Sequence, residues 1–200
     1  MRARDLLVPI LLAMPMPLLG QRPSAGSVRA PDGQARRGFW IGLGAGPATA
    51  ACRGCGEAAQ AGVSGYLRMG GTLSEHLRIG GETNLWTGSQ LGTRETLGFL
   101  TADIYWFPDR AIPLFVKVGV GAMQHRAATV TATAAAGTTG LGYELRVTRT
   151  LSLVPFLNAL VSSAESFAVD GHAVPASPAD AYVSPIHHSL VQAGFGLTWH

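Results

Sequence analysis

The segment Gly38–Gly46 has the sequence GFWIGLGAG, in which large apolar residues alternate with other residues. Phe39, Ile41 and Leu43 occupy every second position, and glycines fill most of the positions between them. Side chains two residues apart lie on the same face of a β-strand. The segment therefore predicts a strand with one apolar face and one face that leaves room for other side chains.

The same two-residue period recurs to the end of the chain and predicts eight strands separated by turn-forming residues. The predicted strands are Gly38–Gly46, Gln60–Met69, Glu75–Trp86, Glu95–Trp106, Leu114–Gln124, Val130–Val147, Leu151–Ser162 and His188–His200. Longer links are expected after strands one, three and seven, and shorter links after strands two, four and six; the link after strand five is also short, which departs from the alternation. This alternation is typical of an up-and-down barrel with short periplasmic turns and longer outer loops. We therefore predict an all-β fold, an eight-stranded antiparallel transmembrane barrel over residues 38–200.

The composition favours lipid around this barrel. Of 200 residues, 47% are hydrophobic and 14% are charged, and 26 are glycine. Soluble domains carry about 25% charged residues. After residue 37 no uninterrupted apolar run reaches the roughly 18 residues that a helical span needs, so strands are expected to cross the membrane.

The N-terminal region reads as an export signal. Arg2 and Arg4 precede the apolar segment Leu6–Leu19, which predicts a secretory signal peptide over residues 1–22. Residues 23–37 are rich in Pro, Gly, Ser, Ala and Arg and predict a flexible lead-in.

Charged residues inside the predicted strands share the face opposite the apolar one. Because a narrow eight-stranded barrel is filled by side chains, we expect an internal ionic network rather than a pore. The predicted members are Arg68, Arg78, Glu82, Asp103, Lys117, Glu144 and Arg146.

Three aromatic residues, Phe39, Trp106 and Trp199, lie at strand ends on the apolar parity. They predict an aromatic girdle at the periplasmic membrane interface. A soluble lipocalin-like binding barrel has the same alternation with the apolar face inside, and it remains the architectural alternative.

From Gly38 onward the chain resembles the small OmpA-like and OmpX-like outer-membrane barrels. The resemblance is carried by GFWIGLGAG and by the terminal SLVQAGFGLTWH, which is similar to the C-terminal signal read by the barrel assembly machinery. That signal usually ends on an aromatic residue, whereas here Trp199 is followed by His200. The resemblance implies an outer-membrane location, with the surrounding lipid and the assembly machinery as partners.

The first long link contains Cys52 and Cys55, the only two cysteines. In an exported protein such a pair is more often a disulfide than a metal site, and free thiols are the alternative. His125, His172, His187 and His188 fall in or beside outer connections and are expected to be solvated. No metal site, cofactor motif or glycine-rich phosphate loop emerges.

One short motif suggests an enzymatic alternative. His187 and Ser189 form an H-x-S spacing similar to that of the lipid A 3-O-deacylase barrels, in which His and Ser act with a Glu. No acidic residue follows Ser189, and Glu165 lies before the motif.

The main functional expectation is a non-enzymatic surface protein. The segment 163–187 is its expected recognition surface for a surface ligand, because loops on a rigid scaffold carry function. A formal net charge of +3 with no basic run beyond Arg36–Arg37 indicates no nucleic-acid partner.

Overall fold

The computed structural model describes residues 38–53, 59–90, 93–109, 111–128, 130–164, 167–169, 172–174 and 186–200. The signal peptide and the lead-in predicted for residues 1–37 lie outside the described residues. Within the described ranges, no helix has both the length and the apolar character needed to cross a membrane.

Eight long strands and three short ones make up the described chain. They are β1 (Gly38–Arg53), β2 (Gln60–Thr72), β3 (Leu77–Gln90), β4 (Thr93–Trp106), β5 (Leu114–Ala127), β6 (Val130–Tyr143), β7 (Leu145–Arg146), β8 (Leu151–Ala164), β9 (Phe167–Val169), β10 (His172–Val174) and β11 (Ile186–Trp199).

The long strands close into an antiparallel up-and-down barrel. Each of β1 to β5 pairs with the next strand, β6 pairs with β8, β8 with β11, and β11 with β1. The predicted eight-stranded barrel is therefore confirmed. Both Gly38 and Trp199 lie at one end of the barrel, here called the termini end, and the opposite end is called the loop end.

The longer link predicted after strand three is wrong, because only two residues connect β3 to β4 at the loop end. The link from β4 to β5 consists of the predicted residues 107–113, and the link from β5 to β6 is short, as expected, with two residues. The strands continue further toward the loop end than expected, and Gln90 still pairs with Thr93. Ala128, in the β5–β6 turn, has a φ of 47°, the left-handed conformation that tight hairpins use.

The inner and outer faces follow the predicted parity. Large apolar side chains such as Leu100, Val120 and Phe195 are 62–72% exposed on the outer face, whereas Glu82 and Lys117 are fully buried inside. A lipocalin-like barrel has the reverse arrangement, so that alternative does not describe this chain.

Two apolar clusters occupy the lumen, with polar side chains among them. Near the termini end lie Trp40, Tyr105, Phe107, Phe115 and Val154. Nearer the loop end lie Trp86, Leu97, Phe99, Met123, Leu160, Leu190 and several alanines.

A pair of glycines shows why small residues recur on the inner face. Gly44 of β1 lies directly opposite Gly196 of β11, and the ring of Tyr66 covers both. A Cβ atom at Gly44 would lie 2.5 Å from Cε1 of Tyr66. The same ring packs edge-on against Phe156, with centroids 4.8 Å apart, so it has no room to move aside.

We expect Gly44→Ala to destabilise the barrel by about 1–3 kcal/mol, because the added methyl group overpacks the lumen against Tyr66. The matched control is Gly81→Ala on the outer face, where the nearest atom would lie 3.7 Å away, and it is expected to change stability by less than about 0.5 kcal/mol. Urea titration of the refolded barrel in lipid vesicles measures both. Equal stability of the two variants would contradict the proposed packing.

Candidate functional site

The most buried charged pair joins two strands across the lumen. Lys117 of β5 donates to Oε1 of Glu82 on β3, and both side chains are fully buried. Glu82 also accepts hydrogen bonds from Asn84 Nδ2 at 2.7 Å and from the Tyr105 hydroxyl at 3.0 Å. A buried carboxylate with several donors is satisfied where it lies, and removing one partner leaves an uncompensated charge.

A second ion pair lies nearer the termini end. Arg78 Nη1 donates to Oε1 of Glu144 at 2.5 Å, and Nη2 donates to Oε2 at 3.2 Å. Two parallel bonds of this kind fix the orientation of both groups. The guanidinium also lies 4.7 Å from the centroid of the Phe107 ring.

Arg68 is held by aromatic rings rather than by a direct ion pair. Its Cζ atom lies 4.9–5.9 Å from four ring centroids, and Nη2 donates to Thr198 Oγ1 at 3.1 Å. The rings belong to Trp40, Tyr66, Tyr105 and Phe115. Cation–π attraction of this type strengthens when the cation is removed from water.

The remaining two predicted members of the network behave differently. Asp103 is buried and accepts a hydrogen bond from Thr101 Oγ1 at 3.0 Å. Arg146 is exposed, so its predicted place inside the barrel is wrong. It shares the inward parity of Glu144 but lies on β7, next to the turn before β8, where water can solvate it. The described lumen thus buries three cations and three carboxylates, which balance.

A relay of neutral side chains extends the network, and sequence reasoning did not single it out. Ser64 donates to Oε1 of Gln192, Gln192 Nε2 donates to Asn84 Oδ1 at 2.6 Å, and Asn84 donates to Glu82. The inward parity of these residues was visible in the sequence. Their mutual contacts were not, because Asn84 and Gln192 are 108 residues apart.

A histidine pair lies inside the barrel near the loop end. The rings of His125 and His188 are 4.8 Å apart, and His125 Nε2 lies 3.7 Å from Oε2 of Glu95. Gln60 Nε2 donates to the same Glu95 oxygen at 3.3 Å. His188 is 4% exposed, so the expectation of a solvated loop histidine is wrong for this residue: β11 begins before it and turns its ring inward.

The predicted girdle residues all lie on the outer face at the termini end. Phe39, Trp106 and Trp199 are exposed by 62%, 53% and 38%, and Trp106 and Trp199 pair with Leu77 and Ile41 of neighbouring strands. Side chains with this placement suit a membrane interface.

The remaining predicted site residues lie at or near the loop end. Cys52 is disulfide-bonded, and Cys55 lies outside the described residues. His187 is exposed and Ser189 half-buried, both on the outer face of β11. Their cross-strand partners are Arg53 and Ser163 for His187, and Ala51 and Val161 for Ser189. No carboxylate belongs to this described neighbourhood, and Glu165 lies outside the described residues.

We expect Lys117→Met to destabilise the barrel by about 3–5 kcal/mol, because it leaves Glu82 charged and buried without its cation. The double variant Glu82→Gln/Lys117→Met removes both charges and is expected to recover much of that loss. Urea titrations of Lys117→Met, of Glu82→Gln and of the double variant give the coupling energy. Additive losses would show that the pair does not interact in the folded barrel.

No protein-family model and no curated protein sequence matches this chain. Several solved structures match this chain. Neisserial surface protein A matches with a TM-score of 0.53 at 16% identity, over 80% of this chain and 96% of that one. Ail, the attachment invasion locus protein of Yersinia pestis, matches with a TM-score of 0.50 at 10% identity, over 81% and 99%. At such identities the likeness concerns the fold, and this chain has the fold of the small eight-stranded outer-membrane β-barrels.

Proposed function

We propose that this protein is a non-enzymatic outer-membrane β-barrel with a side-chain-filled lumen, which presents its loop end for envelope integrity or surface interaction. The observation that carries the proposal is the division of side chains between the two faces. The outer face exposes large apolar side chains around the barrel, and the lumen buries matched charges. This is the arrangement that suits hydrocarbon outside and a solid core inside.

Contacts between strands that are not neighbours support a filled lumen. Lys117 of β5 meets Glu82 of β3, Gln192 of β11 meets Asn84 of β3, and Tyr66 of β2 meets Phe156 of β8. The first contact passes over β4, and the other two join strands that are three positions apart around the barrel. Side chains that meet across an eight-stranded barrel leave little cross-section for ions.

The proposed orientation places the termini end in the periplasm and the loop end outside. The segment 163–187 then faces the exterior as the surface that a ligand would meet. Its described part includes β9, which pairs with β6, and β10, which pairs with β9. The hairpin therefore extends the barrel wall beyond Ala164. Residues 175–185 lie outside the described part of the chain.

The outward row of β11 supports the barrel assembly machinery as the partner during biogenesis. Val191, Phe195 and Trp199 alternate on the outer face up to the last strand position. An outward apolar row that ends on an aromatic residue is similar to the terminal signal of outer-membrane barrels, although His200 follows it here.

A lipid A-modifying enzyme is the less supported function. His187 and Ser189 do share the outer face, but residues two apart along a strand have side chains about 6–7 Å apart. That separation exceeds a direct hydrogen bond between base and nucleophile. Their described cross-strand partners include no acidic residue to orient the histidine.

We expect the protein to appear in the outer-membrane fraction and to migrate faster on a gel before heating than after it, because a closed barrel resists detergent until it is boiled. Cell fractionation followed by electrophoresis of heated and unheated samples measures both properties. A soluble periplasmic pool without a heat-dependent shift would contradict the proposed location and fold.

We expect the refolded protein to give no steady conductance steps in planar bilayers, because ion pairs and aromatic rings fill the lumen. A large general porin measured in the same membranes serves as the positive control. Reproducible steps from verified folded protein would contradict a filled lumen.

A further inference from the structure

The charged groups on the outer wall are confined to one end of the barrel. Among the outward positions that the structure describes in the eight long strands, the ionisable residues other than tyrosine are Arg53, Arg94, Arg126 and His187. All four are exposed and lie at the loop end. None of these outward positions carries Asp or Glu, since the strand carboxylates Glu82, Glu95 and Asp103 have inward parity. The loop end of the wall is therefore cationic.

Two of these residues stand side by side next to a concave surface. The ladders place Arg53 of β1 beside His187 of β11, and His187 beside Ser163 of β8. The next outward row toward the membrane contains Ala51, Ser189 and Val161 in the same strand order. A cavity of about 620 Å³ lies at these two rows, and its described lining includes Arg53, His187 and Ser189 of the rows as well as Cys52, Ser162 and His188, which alternate with them along the strands.

The same surface continues along the wall. A second cavity, of about 280 Å³, joins β8 and β11 to β6 and is lined by Ala135, Gly137 and Ser163 among others. The small residues of β6 let Val161 stand clear of its neighbours, and its side chain is 56% exposed. Further toward the middle of the wall, Val191 and Leu157 are also about half exposed. The outer face here is therefore polar and cationic at the loop end, around Arg53 and His187, and apolar further from that end, along Val161, Val191 and Leu157.

We propose that this surface, named the Arg53 site, binds a phosphate group of lipid A, the acylated glycolipid of the outer leaflet, with an acyl chain along Val161 and Val191. The proposal rests on the proposed function, because the outer-membrane location and the orientation bring the site to the depth of the lipid headgroups. The guanidinium of Arg53 supplies a planar set of donors that matches phosphate oxygens. His187, Ser163 and Ser189 supply additional donors within the same two rows.

Charge complementarity favours this occupant over a neutral or zwitterionic lipid. Among its described residues the site has the guanidinium of Arg53, the imidazole of His187 and no carboxylate, so the described part of the site offers donors to a phosphomonoester and no negative charge. The combined cavity size also fits a bound headgroup, since small-molecule sites are commonly about 300–1,000 Å³. Arg126 of β5 is the control, because it is also exposed on the outer face and is not among the described residues that line either cavity.

The test is native mass spectrometry of the folded barrel in detergent, titrated with bis-phosphorylated lipid A, with lipid A stripped of its phosphates, and with phosphatidylglycerol. Arg53→Gln is expected to weaken the binding of bis-phosphorylated lipid A about tenfold, because a hydrogen bond to a charged group is lost. Removing the phosphates from the lipid should weaken binding to the unaltered protein similarly. Arg126→Gln is expected to leave the affinity unchanged, and His187→Gln to give a smaller loss than Arg53→Gln.

The outcomes separate the site from the proposed function. Unaltered affinity in Arg53→Gln, or equal losses in Arg53→Gln and Arg126→Gln, would overturn the Arg53 site. Phosphatidylglycerol that binds as tightly as lipid A would overturn the choice of occupant. Each sample is checked by heat-dependent gel mobility, so a folded barrel without lipid preference removes only the site. A chain that never forms a heat-resistant barrel contradicts the proposed function instead.

Discussion

Every strand in this barrel depends on the closure of its backbone hydrogen bonds. In hydrocarbon an unpaired amide or carbonyl group costs several kcal/mol, so an open sheet edge has no place there. The pairings of β11 with β1 and of β6 with β8 remove both edges. Once the sheet is closed, each strand has an inner and an outer face, so alternate side chains point into the lumen and out toward lipid.

Closure also explains why the charged side chains in the middle of the strands face the lumen. A carboxylate on the outer wall would face lipid, whereas Glu82 faces Lys117, Tyr105 and Asn84. Arg68 is held in a different way, by aromatic faces and by its hydrogen bond to Thr198. The interior is therefore a packed core built from ion pairs, amides and rings. Glycines such as Gly44 provide the space that these large groups need.

The outer face of the barrel carries different side chains at the termini end and at the loop end. At the termini end, Phe39, Trp106 and Trp199 present aromatic rings. At the loop end, the described outward positions present arginines and a histidine but no carboxylates. A membrane with different lipids in its two leaflets offers different partners to these two ends. Because of this asymmetry, the outer wall near the loop end is a candidate binding surface in addition to the loops themselves.

The sequence by itself determined the all-β class, the number of long strands and the face on which each side chain lies, because a strand has a fixed period of two residues. Strand ends and link lengths were less accessible, as the two-residue turn after β3 shows, since small residues continue a strand as readily as they end it. Only the tertiary structure decided that Arg78 meets Glu144, that Arg68 lies among rings, that Arg146 remains in water and that His188 is buried. Apart from the exposure of Arg146, which follows from its place beside a turn, these outcomes depend on contacts in the lumen between residues far apart in the chain. The local sequence pattern determines the face on which a side chain lies. The residue that this side chain contacts is determined by the closure of the barrel.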